Sequence, residues 1–288
     1  MDLMNPETPL LRLGLTSFLA QAVNYFVFVG LVFLVVWKLL GKALASRRIP
    51  TRFGFDGAQV RREVANTILT LLLGAVSAVA IIALYRAGLT KLSDGADWTW
   101  WQTALALTGL LVFNDTWFYW WHRLLHHPRL FKFIHAVHHR SVDVNPFTSY
   151  SFHAAEGFIL GAWAIPMALL VPMSMKVLAI AQVIGLLNNI VSHLGYELLP
   201  RWWLKLPVLS WSSSATYHSL HHSQFNGNYG LLFRFWDRLM GTELEQYEAV
   251  FAARSEARVD VAAPAGSFER GPGLLQPDRR EGSVPGGQ

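Results

Sequence analysis

From Leu15 to Leu40 the sequence is apolar apart from a few uncharged residues and Lys38. That run exceeds the roughly 20 residues with which a helix crosses the hydrocarbon core of a bilayer. The stretch before it, MDLMNPETP, lacks the basic start of a signal peptide, and the run itself is too long for one. It therefore reads as a retained span. A hydrophobic content of 52% across 288 residues, above what soluble domains carry, agrees.

Further apolar runs cover Val64 to Tyr85 and Thr103 to Trp121, the latter interrupted by Asn114 and Asp115. Gly157 to Val171 and Val177 to Ser192 flank Pro172-Met-Ser, and each is marginal in length for a full span. They read as a tight helical hairpin whose full crossing is left open, with Pro166 kinking its first arm. The expected fold is an all-α integral membrane protein with about four to five membrane-embedded helices: three full spans plus the hairpin.

Orientation follows from the cations beside the spans. Lys38, Lys42, Arg47, Arg48, Arg52, Arg61 and Arg62 lie between spans one and two, against Arg12 before span one and Arg86 and Lys91 after span two. Positive residues mark the cytoplasmic side. Counting crossings from there puts the chain after Trp121 in the cytoplasm, as a helical cap, and brings every histidine to that face. The net charge of +5 belongs with this membrane asymmetry; no basic stripe on a soluble domain points to nucleic acid. Pro, Gly and charge dominate the end of the chain, so 251–288 reads as a disordered tail behind an N-terminal membrane region, 1–101, and a main domain, 102–250.

No cysteine is present, which excludes thiolate catalysis, Cys-ligated zinc and iron–sulfur clusters. Histidine is the conspicuous alternative. The stretch HRLLHHPRLFKFIHAVHH holds six of the eleven histidines. His122 and His126 are four apart, while His135, His138 and His139, and again His218, His221 and His222, share the spacing i, i+3, i+4. In a helix each set lies on one face. Neutral imidazoles bind borderline divalent metals, and eight of them exceed what one zinc takes, so two metals are inferred. Burying so many imidazoles in an apolar chain is costly without partners, and metal supplies them.

His153 and His193 return to the same face and are added as ligands; His127, before Pro128, points off the shared face and is left out. Asp115 continues the stripe of Tyr119, His122 and His126 and is assigned a role behind the ligands. Glu156 and Glu197, three and four residues after His153 and His193, are placed to orient those imidazoles, with Glu197 a further candidate ligand.

The boxes HRLLHH, HAVHH and HSLHH, with NPFTSYSFHAAE, SHLGYE and NYGLLFRFWDRLMGT, resemble the fatty acid hydroxylase superfamily in its sterol desaturase and sterol C4-methyl oxidase branch. The similarity runs from about Phe113 to Thr242. It implies a membrane enzyme with two non-haem iron ions that uses O2 and external electrons to hydroxylate or desaturate an unactivated lipid C–H bond. Carried onto this sequence, its ligands fall on His122, His126, His135, His138, His139, His218, His221 and His222, with His153 and His193 as additions. Zinc could occupy such a site in a purified sample.

The expected partners are a membrane lipid, whether sterol-like, hopanoid, carotenoid or acyl, and an electron donor such as a ferredoxin, cytochrome or reductase. Two rivals are kept: an ether-lipid monooxygenase of the same superfamily, and a histidine-rich metal transporter or metal-binding protein. The transporter expects polar residues along several spans, whereas the first two spans carry no charge in their cores.

Overall fold

The computed structural model describes residues 7–49 and 57–256. Arg52 and the tail from 257 onward lie outside these residues. The described part is helical. Helix α1 (Leu10–Val32) continues through π-helical turns over Phe33–Leu39, and α2 (Gly57–Arg86) packs against it. Helix α3 (Trp100–Leu125) starts at a capping box in which Thr99 and Gln102 exchange hydrogen bonds. Three short pieces follow: α4 (Pro128–Leu130), a π-helical turn over Phe131–His135 and α5 (Ala136–His139). The hairpin is α6 (Ala154–Gly161), α7 (Ala164–Leu170) and α8 (Met175–Ser192). Helices α9 (Ala215–Gln224), α10 (Phe235–Met240) and α11 (Tyr247–Glu256) form the remainder.

Two sets of contacts define the ends of this bundle. At one end Arg86 donates to the Thr8 carbonyl, and Leu92–Ser93 pair in parallel with Met173–Ser174. At the other end Ile49 donates to the Gly195 carbonyl and Glu197 N–H to Arg47, while Gln59 reaches the Asp143 carbonyl. All three histidine boxes lie at this second end, together with Lys38, Arg47 and Arg48 of the cation-rich segment. The chain therefore traverses the bundle five times, by α1, α2, α3, α6 with α7, and α8.

The reach of the hairpin, left open by the length of its apolar runs, is fixed by its tip. Its tip, Met173–Ser174, is held at the far end by Leu92–Ser93, and the 18 residues of α8 cover about 27 Å. It crosses in full. The first arm breaks at Ala162–Trp163 rather than at Pro166, which occupies the first turn of α7, where its missing N–H has no helical partner to lose.

By length and hydropathy the described helices able to span a membrane are Leu10–Leu39, Gly57–Arg86 and Met175–Ser192. Helix α3, expected as a full span, is not one of them: Asn114, Asp115 and its tryptophans dilute the apolar run, and both polar residues are buried inside the bundle. Outward from α1 and α2 point Leu15, Leu19, Val23, Val27, Ile68, Leu72 and Val76, a surface suited to lipid. The C-terminal boundary also moves. Residues 251–256, assigned to the tail, complete α11, and Phe251 is buried against Tyr217 and Tyr247.

Candidate metal centre

The three boxes converge in two groups. His122, His126, His135, His139 and His221 form one, and His138, His193, His218 and His222 the other. The end of α3 contributes only to the first group and the end of α8 only to the second, while α5 and α9 contribute to both. The groups adjoin, with the rings of His139 and His222 4.6 Å apart. Except for His126, which is partly buried, all nine side chains are buried.

Within each group Nε2 atoms face one another. In the five-histidine group Nε2 of His135 lies 3.0 Å from those of His122 and His139, and Nε2 of His126 lies 3.2 Å from that of His221. In the four-histidine group His193 lies 3.0 Å from His218 and 3.4 Å from His138, and His222 is 3.2 Å from His218. Nitrogens about 2.1 Å from one ion stand about 3.0 Å apart at a right angle and about 3.4 Å apart in a tetrahedron. The observed spacings fit a metal at the centre of each group.

The other ring nitrogens fix the tautomers. Carbonyls only accept, so Nδ1 carries the proton where His122 bonds Tyr229, His221 bonds Gly227, His193 bonds Asn189 and His138 bonds Ser151. Each of these leaves Nε2 bare toward its group. His126 bonds the backbone of Phe225. Three alternate carbonyls, of Phe225, Gly227 and Tyr229, thus orient three imidazoles of one group.

That turn is strained: Phe225, Gly227 and Asn228 all have positive φ, near 63°, 91° and 54°. A non-glycine residue there costs on the order of 1 to 3 kcal/mol, and the cost is met by surrounding bonds. Asn228 bonds the Tyr217 carbonyl and the Leu244 N–H. Asp237 accepts from the N–H groups of Tyr229 and Gly230 and from the hydroxyls of Tyr217 and Thr242.

The carboxylates behave differently from expectation. Glu156 does not orient His153; its Oε1 lies 2.7 Å from Nδ1 of His135, making a carboxylate–histidine pair behind the five-histidine group. Glu197 touches no imidazole. It accepts from Leu199 and from the Thr216 N–H, the latter capping the first turn of α9, the helix that carries three ligand candidates. Asp115 accepts from the N–H groups of Leu232 and Phe233 and so ties the strained turn's continuation to α3.

His153 stays out of both groups. It is the N-cap of α6, its Nδ1 accepting from the Ala155 N–H. The topology returned it to the right end, but a cap faces its own backbone. His127 is exposed, as its position before Pro128 implied. Paired substitutions separate these roles. His153→Ala is expected to cost about 1 kcal/mol of stability, the usual worth of a cap, and His127→Ala nothing, with metal content unchanged in both. Glu156→Gln is expected to weaken metal binding roughly 10- to 100-fold, measured by competition with a chelator.

Two supports were missed in the sequence. Asp237 lies in WDRLMGT, part of a motif that carries the family resemblance but gives this acid no role of its own. Glu63, wholly buried, accepts from Gln59, Asn145 and Thr148 and anchors the turn after the second box to α2. A lone carboxylate at the start of an apolar run was its trace.

Burial, and then the neighbouring imidazoles, push His139, His218 and His222 well below their ordinary range. The unfolded chain therefore binds protons that the folded core refuses. The stability this neutral core contributes is present above about pH 6.5 and falls away as pH drops below it. Taking the purified protein from pH 7.5 to 5 should lower its melting temperature and release bound metal; unchanged metal content at pH 5 would contradict the neutral-ligand assignment.

A cavity of about 500 Å³ runs inside the bundle between α1, α2, α3, α6 and α8. It reaches from Tyr85 and Met175 at the far end to Phe118, Phe152 and Leu231. There the ring of Phe118 lies 4.9 Å from His122 and that of Phe152 4.7 Å from His138. One aromatic side chain separates the cavity from each histidine group.

Residues 107–242 match the fatty acid hydroxylase family. Among curated proteins, methylsterol monooxygenase 1 of Rattus norvegicus is 34% identical over 157 residues, 53% of this chain and 52% of that protein. The Delta(7)-sterol 5(6)-desaturase of Leptosphaeria maculans is 28% identical over 244 residues, 84% of this chain and 64% of that protein. The very-long-chain aldehyde decarbonylase CER1 of Arabidopsis thaliana is 31% identical over 243 residues, 78% of this chain and 37% of that protein. The chain spans about half the length of the methylsterol monooxygenases it matches. No solved structure matches.

Proposed function

Starting from residues 107–242, which belong to the fatty acid hydroxylase family, we propose that this chain is an O2-dependent lipid oxidase with two iron ions. His122, His126, His135, His139 and His221 hold one ion, and His138, His193, His218 and His222 the other. The observation that carries this reading is the junction of two convergent imidazole groups with an apolar cavity. Iron paired with O2 and electrons supplies an oxidant that no side chain can, strong enough for an unactivated C–H bond.

The residues of the chain do the rest. Carbonyls of residues 225–229, and Glu156, set the imidazole tautomers. Phe118 and Phe152 form the wall at which a lipid carbon stops, and the buried surroundings keep water from the oxidant. The lipid enters from the bilayer. The histidine end, where the cation-rich segment packs, faces the cytoplasm, and a soluble donor delivers electrons there.

Gly185 lines the cavity, and a Cβ added there would lie 3.8 Å from Nδ2 of Asn114, another lining residue. Gly185→Phe should therefore fill the cavity and abolish turnover while iron content stays at two per chain. Full activity of that variant would place the substrate elsewhere. Comparison of lipids from cells with and without the gene, read for a gain of one oxygen or a loss of two hydrogens, tests the reaction itself.

A further inference from the structure

Phe118 and Phe152, the rings between the cavity and the histidine groups, give up an electron only with difficulty. A different row of rings leads away from the five-histidine group. Tyr229 packs against three of its imidazoles, with ring centroids 5.0 Å from His126, 5.7 Å from His221 and 5.9 Å from His122. The ring of Tyr119 is 6.3 Å beyond Tyr229, and Tyr119 stacks on Trp236 at 5.8 Å with 19° between the planes. Trp120 then lies 5.3 Å from both Trp236 and Tyr119. It is 43% exposed, and none of these four rings lines the cavity. Phenols and indoles, with thiols, are the side chains that lose one electron most readily, and this chain has no thiol.

Tyr119 is the member of this row equipped to lose its proton as well. It is wholly buried, and the Arg123 guanidinium donates to its oxygen at 3.1 Å. On its other side lies the hydroxyl of Thr242, 3.0 Å from the phenol and 2.6 Å from Asp237 Oδ1. Asp237 is met by four donors, the N–H groups of Tyr229 and Gly230 and the hydroxyls of Tyr217 and Thr242, so it stands as an ionised carboxylate. The one proton of Thr242 is therefore engaged with Asp237, and the phenol donates to Thr242. A buried phenol linked through one hydroxyl to a carboxylate can release an electron without leaving a charged ring in an apolar interior. Tyr229 has no such outlet: its hydroxyl donates to the Asn226 amide oxygen, which is no base.

We propose that Tyr119 is a redox-active tyrosine that gives one electron to the five-histidine group when oxidant forms there with no lipid to consume it, a role that rests on the proposed oxidase function. The electron passes through Tyr229, and the iron-and-O2 oxidant is reduced by one electron. The phenol O–H bond breaks, its proton goes to the Thr242 oxygen, and Thr242 passes its own proton to the Asp237 carboxylate. A neutral phenoxyl radical and a protonated Asp237 remain. Refilling reverses these steps: an external one-electron reductant supplies Trp120 at the surface, the electron reaches Tyr119 through Trp236, and Asp237 returns the proton. Stray oxidant is then quenched by external electrons rather than by the imidazoles that hold the metals.

Two arms test this on full-length protein in nanodiscs. In the first, metal-free protein is photo-oxidised by a soluble ruthenium complex with an electron scavenger, so that exposed rings are oxidised without iron or O2. A tyrosyl radical is expected by EPR that is missing in Tyr119→Phe, is retained in Tyr247→Phe and falls several-fold in Trp236→Phe. Thr242→Val, which leaves the Tyr119 ring in place and removes only its proton acceptor, should lower the yield as well. In the second arm, iron-loaded, reduced protein is mixed with O2 and no lipid. The same radical is expected, and after repeated cycles Tyr119→Phe should carry several-fold more added oxygen than wild type on the peptide from His122 to His139, read by mass spectrometry from equal starting iron. Absence of a Tyr119-dependent radical in the first arm, or equal oxidation of that peptide in the second, would overturn the proposal. Failure of the oxidase assignment reads separately, as loaded protein that consumes no O2; the first arm then decides alone whether Tyr119 is redox-active.

Discussion

His218→Ala is expected to leave one iron per chain in place of the two proposed for the wild type, and to reduce turnover by more than about a hundredfold. The imidazole of His218 touches both His193 and His222 through Nε2, at 3.0 and 3.2 Å, so its loss opens the centre of the four-histidine group. Removing a partner one step behind a metal ligand already costs 10- to 100-fold, and a ligand itself costs more. The five-histidine group shares no residue with this one and should keep its ion. The result is read by iron analysis beside turnover on the substrate found by lipid comparison. Two irons retained with full turnover would remove His218 from the site.

Asp237→Ala should act from behind the site and be nearly as damaging. Two backbone N–H groups, of Tyr229 and Gly230, end on its carboxylate at 2.9 and 2.7 Å, in a wholly buried position. Leaving each unpaired costs about 1 to 3 kcal/mol, so a loss of about 2 to 6 kcal/mol in stability is expected. The strained turn from Phe225 to Asn228 then lacks part of what offsets it, and the carbonyls of Gly227 and Tyr229 no longer hold His221 and His122. Iron should therefore leave the five-histidine group first. Thermal unfolding and metal stoichiometry together check this; wild-type values for both would contradict the role given to the turn.

The histidine boxes were legible because helical spacing alone puts i, i+3 and i+4 on one face, and the crossing count brings the boxes to one end. The partition into five and four was not. His138 and His139 are adjacent in sequence yet turn to different groups, because neighbours on a helix point about 100° apart and each meets a different set of partners. His153 shows the limit from the other side. Topology located it correctly at that end, but its ring caps α6, and no periodicity distinguishes a cap from a ligand.

The carboxylates failed for a related reason. Glu156 was paired by proximity with His153, three residues away, whereas its partner His135 is 21 residues distant and meets it only after the hairpin packs. Three spans were legible, but which helices they are was not: α8 has the length and hydropathy of a span and α3 does not, and the sequence does not reveal that Asn114 and Asp115 face inward or that Met173 is pinned by Leu92.

The central claim is that two separate imidazole groups each hold an iron ion. Quantitative iron analysis with Mössbauer spectroscopy on reconstituted wild-type protein tests it most directly. Two irons per chain, in nitrogen-rich surroundings and distinguishable as a five-histidine and a four-histidine site, are predicted. A single iron per chain, or none after reconstitution under anaerobic conditions, would contradict the account.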